Sequence, residues 1–198
     1  MNANRPEQVS LLNRSLREFL DEVAAPGSSA TGGTVAAITT AAAAGLTAMV
    51  AGLSESPSMV RESERLRCQA TALAVTDGEV YQAVLAAVGR PAGDPGRLAA
   101  LHGALVAAAA PPRQLCEVAA QVAGLGSGLA SRVKRSLAGD AVTACVLAAA
   151  AAHSAATLVR INLVAAGAER DEADAADRTA AKADEHAATA SRPYRPAG

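Results

Sequence analysis

The chain has 198 residues and a net charge of −1; 51% of it is hydrophobic, yet only Phe19, Tyr81 and Tyr194 are aromatic. That length holds one domain with a real core. The near-neutral charge and scarcity of stacking rings exclude a surface built to bind nucleic acid or an acidic membrane. Alanine supplies much of the apolar count and favours helices, because it loses no side-chain entropy on entering one. The alternating β-branched runs that strands need are missing. The expectation is an all-α fold: a bundle of about six to eight mostly antiparallel helices around a buried Ala-rich central helix. Cys68, Cys116 and Cys145 are isolated and odd in number. They read as small core residues in a reducing, cytoplasmic setting, with neither a disulfide frame nor a metal site.

Taken in chain order, Pro6 suits the first turn of a helix. Val9, Leu12, Leu16, Phe19 or Leu20, and Val23 then recur at helical steps up to Pro26. The charges at Glu7, Arg14, Arg17, Glu18 and Asp21 argue against a signal peptide. From Val23 to Leu53 there is no charged residue. Turn chemistry at Pro26-Gly27-Ser28-Ser29 leads to Gly32-Gly33-Thr34, and a helix apolar or small on every face is expected after Gly33. A glycine pair at a helix start exposes unpaired backbone N–H groups, able to hold an anion or a carbonyl oxygen. Thr34–Leu53 is long enough to cross a membrane. Its Ala, Gly and Thr partition poorly into lipid, and the second such stretch, Ala141–Val159, carries His153. Buried helices of a bundle account for both, so no membrane partner is expected.

A long helix is expected over Ser58–Val88, with the stripe Leu66, Ala70, Leu73, Val80 or Tyr81, Val84 and Val88. Asp77 falls where that stripe needs its next apolar member. An acid on a buried face calls for a role. A loop follows over Gly89–Gly96, then a short helix over Arg97–Ala109 stopped by Pro111-Pro112. The next helix runs from Pro112 to about Val122 and fades into Gly124, Gly126 and Gly128. Arg132, Lys134 and Arg135 form a basic cluster before Gly139-Asp140, where the last strong helix is expected to begin. No large apolar residue stands between Val164 and Tyr194, so residues 169–190 read as an exposed or frayed helix and 191–198 as a disordered tail. A single domain over residues 5–190 is expected.

Three pieces in order resemble the cyclodeaminase/cyclohydrolase family, which includes formiminotetrahydrofolate cyclodeaminases and methenyltetrahydrofolate cyclohydrolases. Ser15-Leu16-Arg17-Glu18-Phe19-Leu20-Asp21-Glu22-Val23-Ala24 is similar to its opening helix. Ala30-Thr31-Gly32-Gly33-Thr34-Val35-Ala36-Ala37, with Ala48-Met49-Val50-Ala51 after it, resembles the family's Pro-Gly-Gly-Gly-Ser turn and following helix. Asp140 through Ile161-Asn162-Leu163 resembles its long Ala-rich helix. Asp77 and Tyr81 suit its Asp-x-x-x-aromatic element, and Ala110-Pro111 its Ala/Val-Pro break. The chain departs from the pattern at Ala30 and Thr31, which replace a proline and a glycine, at Gly139 in place of a serine, and at Lys134 in place of an asparagine.

The resemblance implies a folate-dependent one-carbon enzyme that opens or closes the methenyl ring of tetrahydrofolate. No cofactor beyond the folate and no metal is implied, and a homodimer is. His102, His153 and His186 lack metal-ligand spacing. Ring opening and closure both pass through a tetrahedral carbon between two nitrogens, and a positioned carboxylate can move the protons. Asp140 is the first candidate for that acid/base, by its match to the family's Ser-Asp; an ordinary helix cap is the competing role. Asp77 is the second, with ion pairing to Arg132, Lys134 or Arg135 as its alternative. Gly32, Gly33 and Thr34 would present donors to the pterin, or simply make a tight turn and cap. Asn162 would reach a pterin nitrogen or bridge two helices. Lys134, with Arg132 and Arg135, would hold the glutamate tail or be solvated. The competing function is a non-catalytic relative that keeps the bundle as a ligand-binding or assembly module.

Overall fold

The structure is a computed structural model describing residues 13–28 and 30–194. The part of the expected first helix that precedes residue 13, and the tail from 195, lie outside the described residues. Those residues form seven α-helices and no strand: α1 (Leu16–Ala24), α2 (Gly32–Leu53), α3 (Pro57–Val88), α4 (Arg97–Ala108), α5 (Ala110–Ala130), α6 (Arg135–Ala166) and α7 (Asp171–Ser191). A 3-10 turn over Arg192–Tyr194 follows α7.

Helix α2 lies at the centre, packed on α3, α5 and α6, while α7 closes over α5 and α6. Its interior positions Ala37, Ala43, Ala44, Val50 and Ala51 are fully buried, as are Ala148, Ala152 and Ala155 of α6, which packs on it. The core is therefore made of methyl groups, which lets helix backbones approach closely. At Gly126 of α5, an added Cβ would stand only 3.2 Å from the Ala141 carbonyl oxygen of α6. Thr40 and Thr47 are buried without cost in unpaired polar groups, because each hydroxyl donates back to the carbonyl one turn earlier, Ala36 and Ala43, at 2.9 Å. Gly167 ends α6 in the left-handed region at φ 67°, where glycine meets no Cβ penalty.

Several boundaries differ from those read in the sequence. Helix α6 starts at Arg135, so Asp140 is inside it and does not cap it. Helix α5 starts at Ala110 and continues through Gly124, Gly126 and Gly128. The propensity lost at these glycines is offset by the close approach they permit at Gly126. Helix α7 is neither frayed nor wholly exposed: Ala173, Ala176, Ala180, Ala183 and Ala190 form a buried stripe. Alanine is enough for burial when the facing surface is also alanine. Arg160 of α6 reinforces the contact by binding Asp174 at 2.8 Å and also Asp177.

Helix α1 stands apart from this core. Ser15 caps it in a reciprocal capping box with Glu18, and Arg14 pairs with Glu22. None of its residues is buried, and Leu16, Leu20 and Val23 present an exposed apolar stripe. By length and composition α2 and α6 could each cross a membrane, but half of each apolar window is buried inside the bundle.

Candidate functional site

The glycine pair opens α2 from within its first turn, and the cap is Thr31 rather than Thr34. The two threonines brace each other. Thr31 Oγ1 accepts from the Thr34 N–H, and Thr34 Oγ1 accepts from the Thr31 N–H, both at 3.3 Å. Each hydroxyl then donates to one oxygen of Asp77 on α3. Thr34 reaches Asp77 Oδ2 at 3.0 Å, and Thr31 also donates to it. The carboxylate lies flat against the bare Cα of Gly33, where an added Cβ would stand 2.2 Å from Oδ1 and 2.6 Å from Cγ. Glycine is required there for space. The second oxygen, Oδ1, accepts no hydrogen bond among the described residues, and the N–H groups of Gly32 and Gly33 have no partner there. These N–H groups carry the partial positive charge of the α2 terminus towards the acid.

Beside this cluster a groove of about 400 Å³ runs between the end of α1, the start of α2 and the middle of α6. Val23, Val35 and alanines form its walls, and Thr31, Thr39 and Ser154 supply polar atoms. Thr31 belongs to both features: it lines the groove and holds Asp77. The volume lies within the range of small-molecule sites. Tyr81, 37% exposed, stands one turn beyond Asp77 on the same helix.

The remaining candidates lie elsewhere. Asn162 donates its amide to the Ala108 carbonyl at 2.9 Å, bridging α6 to α4, and stands about 12 Å along α6 from Ser154. Asp140 is half-buried beside Ala141, which packs with Val50 and Ala51 at the far end of α2. Val50 is about 25 Å along α2 from Gly33. Lys134 is exposed at the same far end, where it precedes α6. Arg132, Lys134 and Arg135 accordingly make no ion pair with Asp77. One chain brings Gly32, Gly33, Thr34 and Asp77 together and holds Lys134 and Asp140 apart from them.

The sequence profile of the formiminotransferase-cyclodeaminase family matches residues 15–185. The chain belongs to that family. Among solved structures it is similar to formiminotetrahydrofolate cyclodeaminase from Thermotoga maritima, with 25% identity and a TM-score of 0.79 over 91% of this chain and 96% of that one. No curated protein matches the sequence. Thr31 is the functional candidate that sequence reasoning passed over. It was visible only as a departure from a glycine-rich turn. The signal that finds it is a Thr-x-x-Thr capping box directly before an apolar helix.

Proposed function

We propose that this protein acts on a one-carbon-substituted tetrahydrofolate, opening or closing the methenyl ring as a methenyltetrahydrofolate cyclohydrolase or a formiminotetrahydrofolate cyclodeaminase. Family membership supports the substrate class. The observation that carries the mechanism is Asp77, with one oxygen fixed by two hydroxyls and the other open. In that assignment Oδ1 is the oxygen that takes or gives a proton at the tetrahedral carbon's nitrogen or attacking water. Thr31 and Thr34 hold the carboxylate in one orientation throughout. General acid–base help of this kind contributes about 10²–10⁴-fold. The N–H groups of Gly32 and Gly33 would donate to a pterin oxygen lying in the groove. The working species is a cytoplasmic homodimer, with the folate itself as its small-molecule partner and no further cofactor.

The test is absorbance of methenyltetrahydrofolate incubated with purified protein, run beside the release of ammonia from the formimino substrate. One of the two reactions should exceed its spontaneous rate. Asp77→Asn should remove at least about 100-fold of that acceleration while helicity is kept. A folded wild type that accelerates neither reaction would replace this function with a non-catalytic binding or assembly module.

A further inference from the structure

The groove beside Thr31 carries polar groups that the proton chemistry does not use. None of the described residues lining it is charged, so it is not built to take a carboxylate tail or a phosphate. Ala36, Ala150 and Ala151 give it methyl walls, against which a flat ring can lie. Two further hydroxyls line it, Thr39 of α2 and Ser154 of α6. Thr39 donates to the Val35 carbonyl and Ser154 to the Ala150 carbonyl, each at 2.9 Å. With its one hydrogen so placed, each oxygen offers the groove lone pairs and no donor.

These two acceptors stand level with one another on the two sides of the groove. Ala141 of α6 packs with Val50 and Ala51 of α2, and the groove joins the start of α2 to the middle of α6, so the helices run antiparallel. Counted from Ala141, Ser154 lies about 20 Å along α6, and Thr39 lies about 17 Å back along α2, a match to within about 3 Å. Donors stand at the other end. The free N–H groups of Gly32, which lines the groove, and of Gly33 are about 10 Å along α2 from Thr39. A hydrogen bond of about 2.9 Å at each end leaves about 4–5 Å between the ligand's own acceptor and its own donor. A carbonyl oxygen and an amino group joined as O=C–N–C–N in a flat ring are four bonds of about 1.2–1.4 Å apart and span that distance. A ring N–H lies between them on the same edge. Acceptor, donor, donor is the order along the pyrimidine edge of a pterin.

We propose that Thr39 and Ser154 are specificity-determining residues of this site, accepting from the ring N–H and the 2-amino group of the pterin. The 4-oxo group then turns to the N–H groups of Gly32 and Gly33. The ring nitrogen N5, which neighbours the 4-oxo group, comes to the same end and carries the one-carbon bridge towards Asp77, the acid seated on Gly33. The charged glutamate tail leaves the uncharged groove for solvent. This orientation deepens the folate assignment and rests on it for the ligand's identity. It also supplies a reason for the ring to enter one way round. Reversed, the 4-oxo group would set lone pairs against the two hydroxyl oxygens, and the amino group would meet the N–H donors of Gly32 and Gly33.

Calorimetric titration tests this with three probes: 5-formyltetrahydrofolate, which is a stable one-carbon-substituted tetrahydrofolate, its 2-desamino counterpart, and a 6-methyltetrahydropterin that keeps the edge and lacks the tail. The wild type should bind the amino folate at least about 10-fold more tightly than the desamino one, because the latter leaves an acceptor unpaired. Thr39→Val and Ser154→Ala should each weaken the amino folate about 5-fold and the desamino folate less than about twofold. The double variant should lose the preference. A merely structural role would weaken both folates alike. That result, or a wild-type preference kept in the double variant, would overturn the acceptor pair while folate binding itself stands. Binding of the tetrahydropterin alone, with the same loss in the variants, would keep the acceptor pair and remove the folate assignment. No binding of any of the three would remove both.

Discussion

Adjacent glycines at the start of α2 should respond to the same substitution with opposite signs. At Gly33 an added methyl group would stand 2.2 Å from Asp77 Oδ1 and 2.6 Å from Cγ, so the carboxyl must retreat by more than 1 Å to reach ordinary contact. Asp77 has a short side chain, and its Oδ2 is held by Thr31 and Thr34. Retreat therefore means losing those hydrogen bonds or moving α3. Overpacking of this kind costs about 1–3 kcal/mol. The better helix propensity of alanine returns up to about 1 kcal/mol, leaving a net loss of up to about 2 kcal/mol for Gly33→Ala. At Gly32 nothing lies within 4 Å of the same methyl group, and Gly32→Ala should stabilise by about 0.4–1 kcal/mol. Urea denaturation gives both numbers. A cycle with Asp77→Ala isolates the cause, because removing the carboxyl should make Gly33→Ala tolerated, with a coupling of about 1–3 kcal/mol. Turnover of Gly33→Ala should fall about 100-fold, as expected when a catalytic group is displaced by 1 Å. Equal stability of the two alanine variants, with zero coupling to Asp77, would refute the contact and the site built on it.

Thr31→Gly keeps a residue well tolerated at a helix cap, at a cost of only a few tenths of a kcal/mol, but removes the hydroxyl from Asp77. We expect kcat to fall about 10-fold with KM nearly unchanged, and Thr31→Ser to restore it to within about twofold; an unchanged kcat in Thr31→Gly would leave Thr31 a cap alone. Burial pushes the Cys116 and Cys145 thiols up to about 11 from an ordinary 9.0, with Glu117 and Asp177 adding to the effect at Cys116. Between those values the unfolded chain releases protons that the folded chain keeps. Stability from this source is thus constant below about pH 9 and falls as pH rises towards 11. Denaturation midpoints across that window should fall less steeply for the Cys116→Ala/Cys145→Ala variant, and an unchanged slope would contradict thiol burial. In native protein only Cys68, which is exposed, should react promptly with a thiol reagent.

The helices of this protein were legible wherever large apolar residues marked a stripe. Leu66, Ala70 and Leu73 placed α3 to within a residue of its start, at Pro57 instead of Ser58. The signal failed where alanine alone does the packing. In α7 the buried stripe from Ala173 to Ala190 looks, in a linear reading, like the alanines on the exposed side. Only knowledge that α5 and α6 present an equally small surface distinguishes them. Gly124, Gly126 and Gly128 misled in the opposite sense. A glycine read as a helix breaker can equally be the point where a neighbouring backbone passes, and propensity does not say which.

The same asymmetry governs the site. Asp77 announced itself because an acid interrupted an apolar stripe, and the glycine pair because it opened a charge-free helix. That the two belong together was not legible, since residue 33 and residue 77 meet only through the antiparallel return of α3 along α2. Asp140 illustrates the converse. Matching it to an acid at a helix start suggested a partner for Asp77, yet the helix begins five residues earlier and the residue stands at the other end of the bundle. A motif match fixes position along a chain, and catalysis needs position in space. In an antiparallel bundle the two coincide only when the sum of residue numbers in facing helices is right. Gly33 and Asp77 satisfy that condition. Asp140 does not, so replacing it by Asn should leave the Asp77 cluster and its chemistry in place, and loss of turnover in that variant with helicity kept would refute the assignment of the proton-handling role to Asp77 alone.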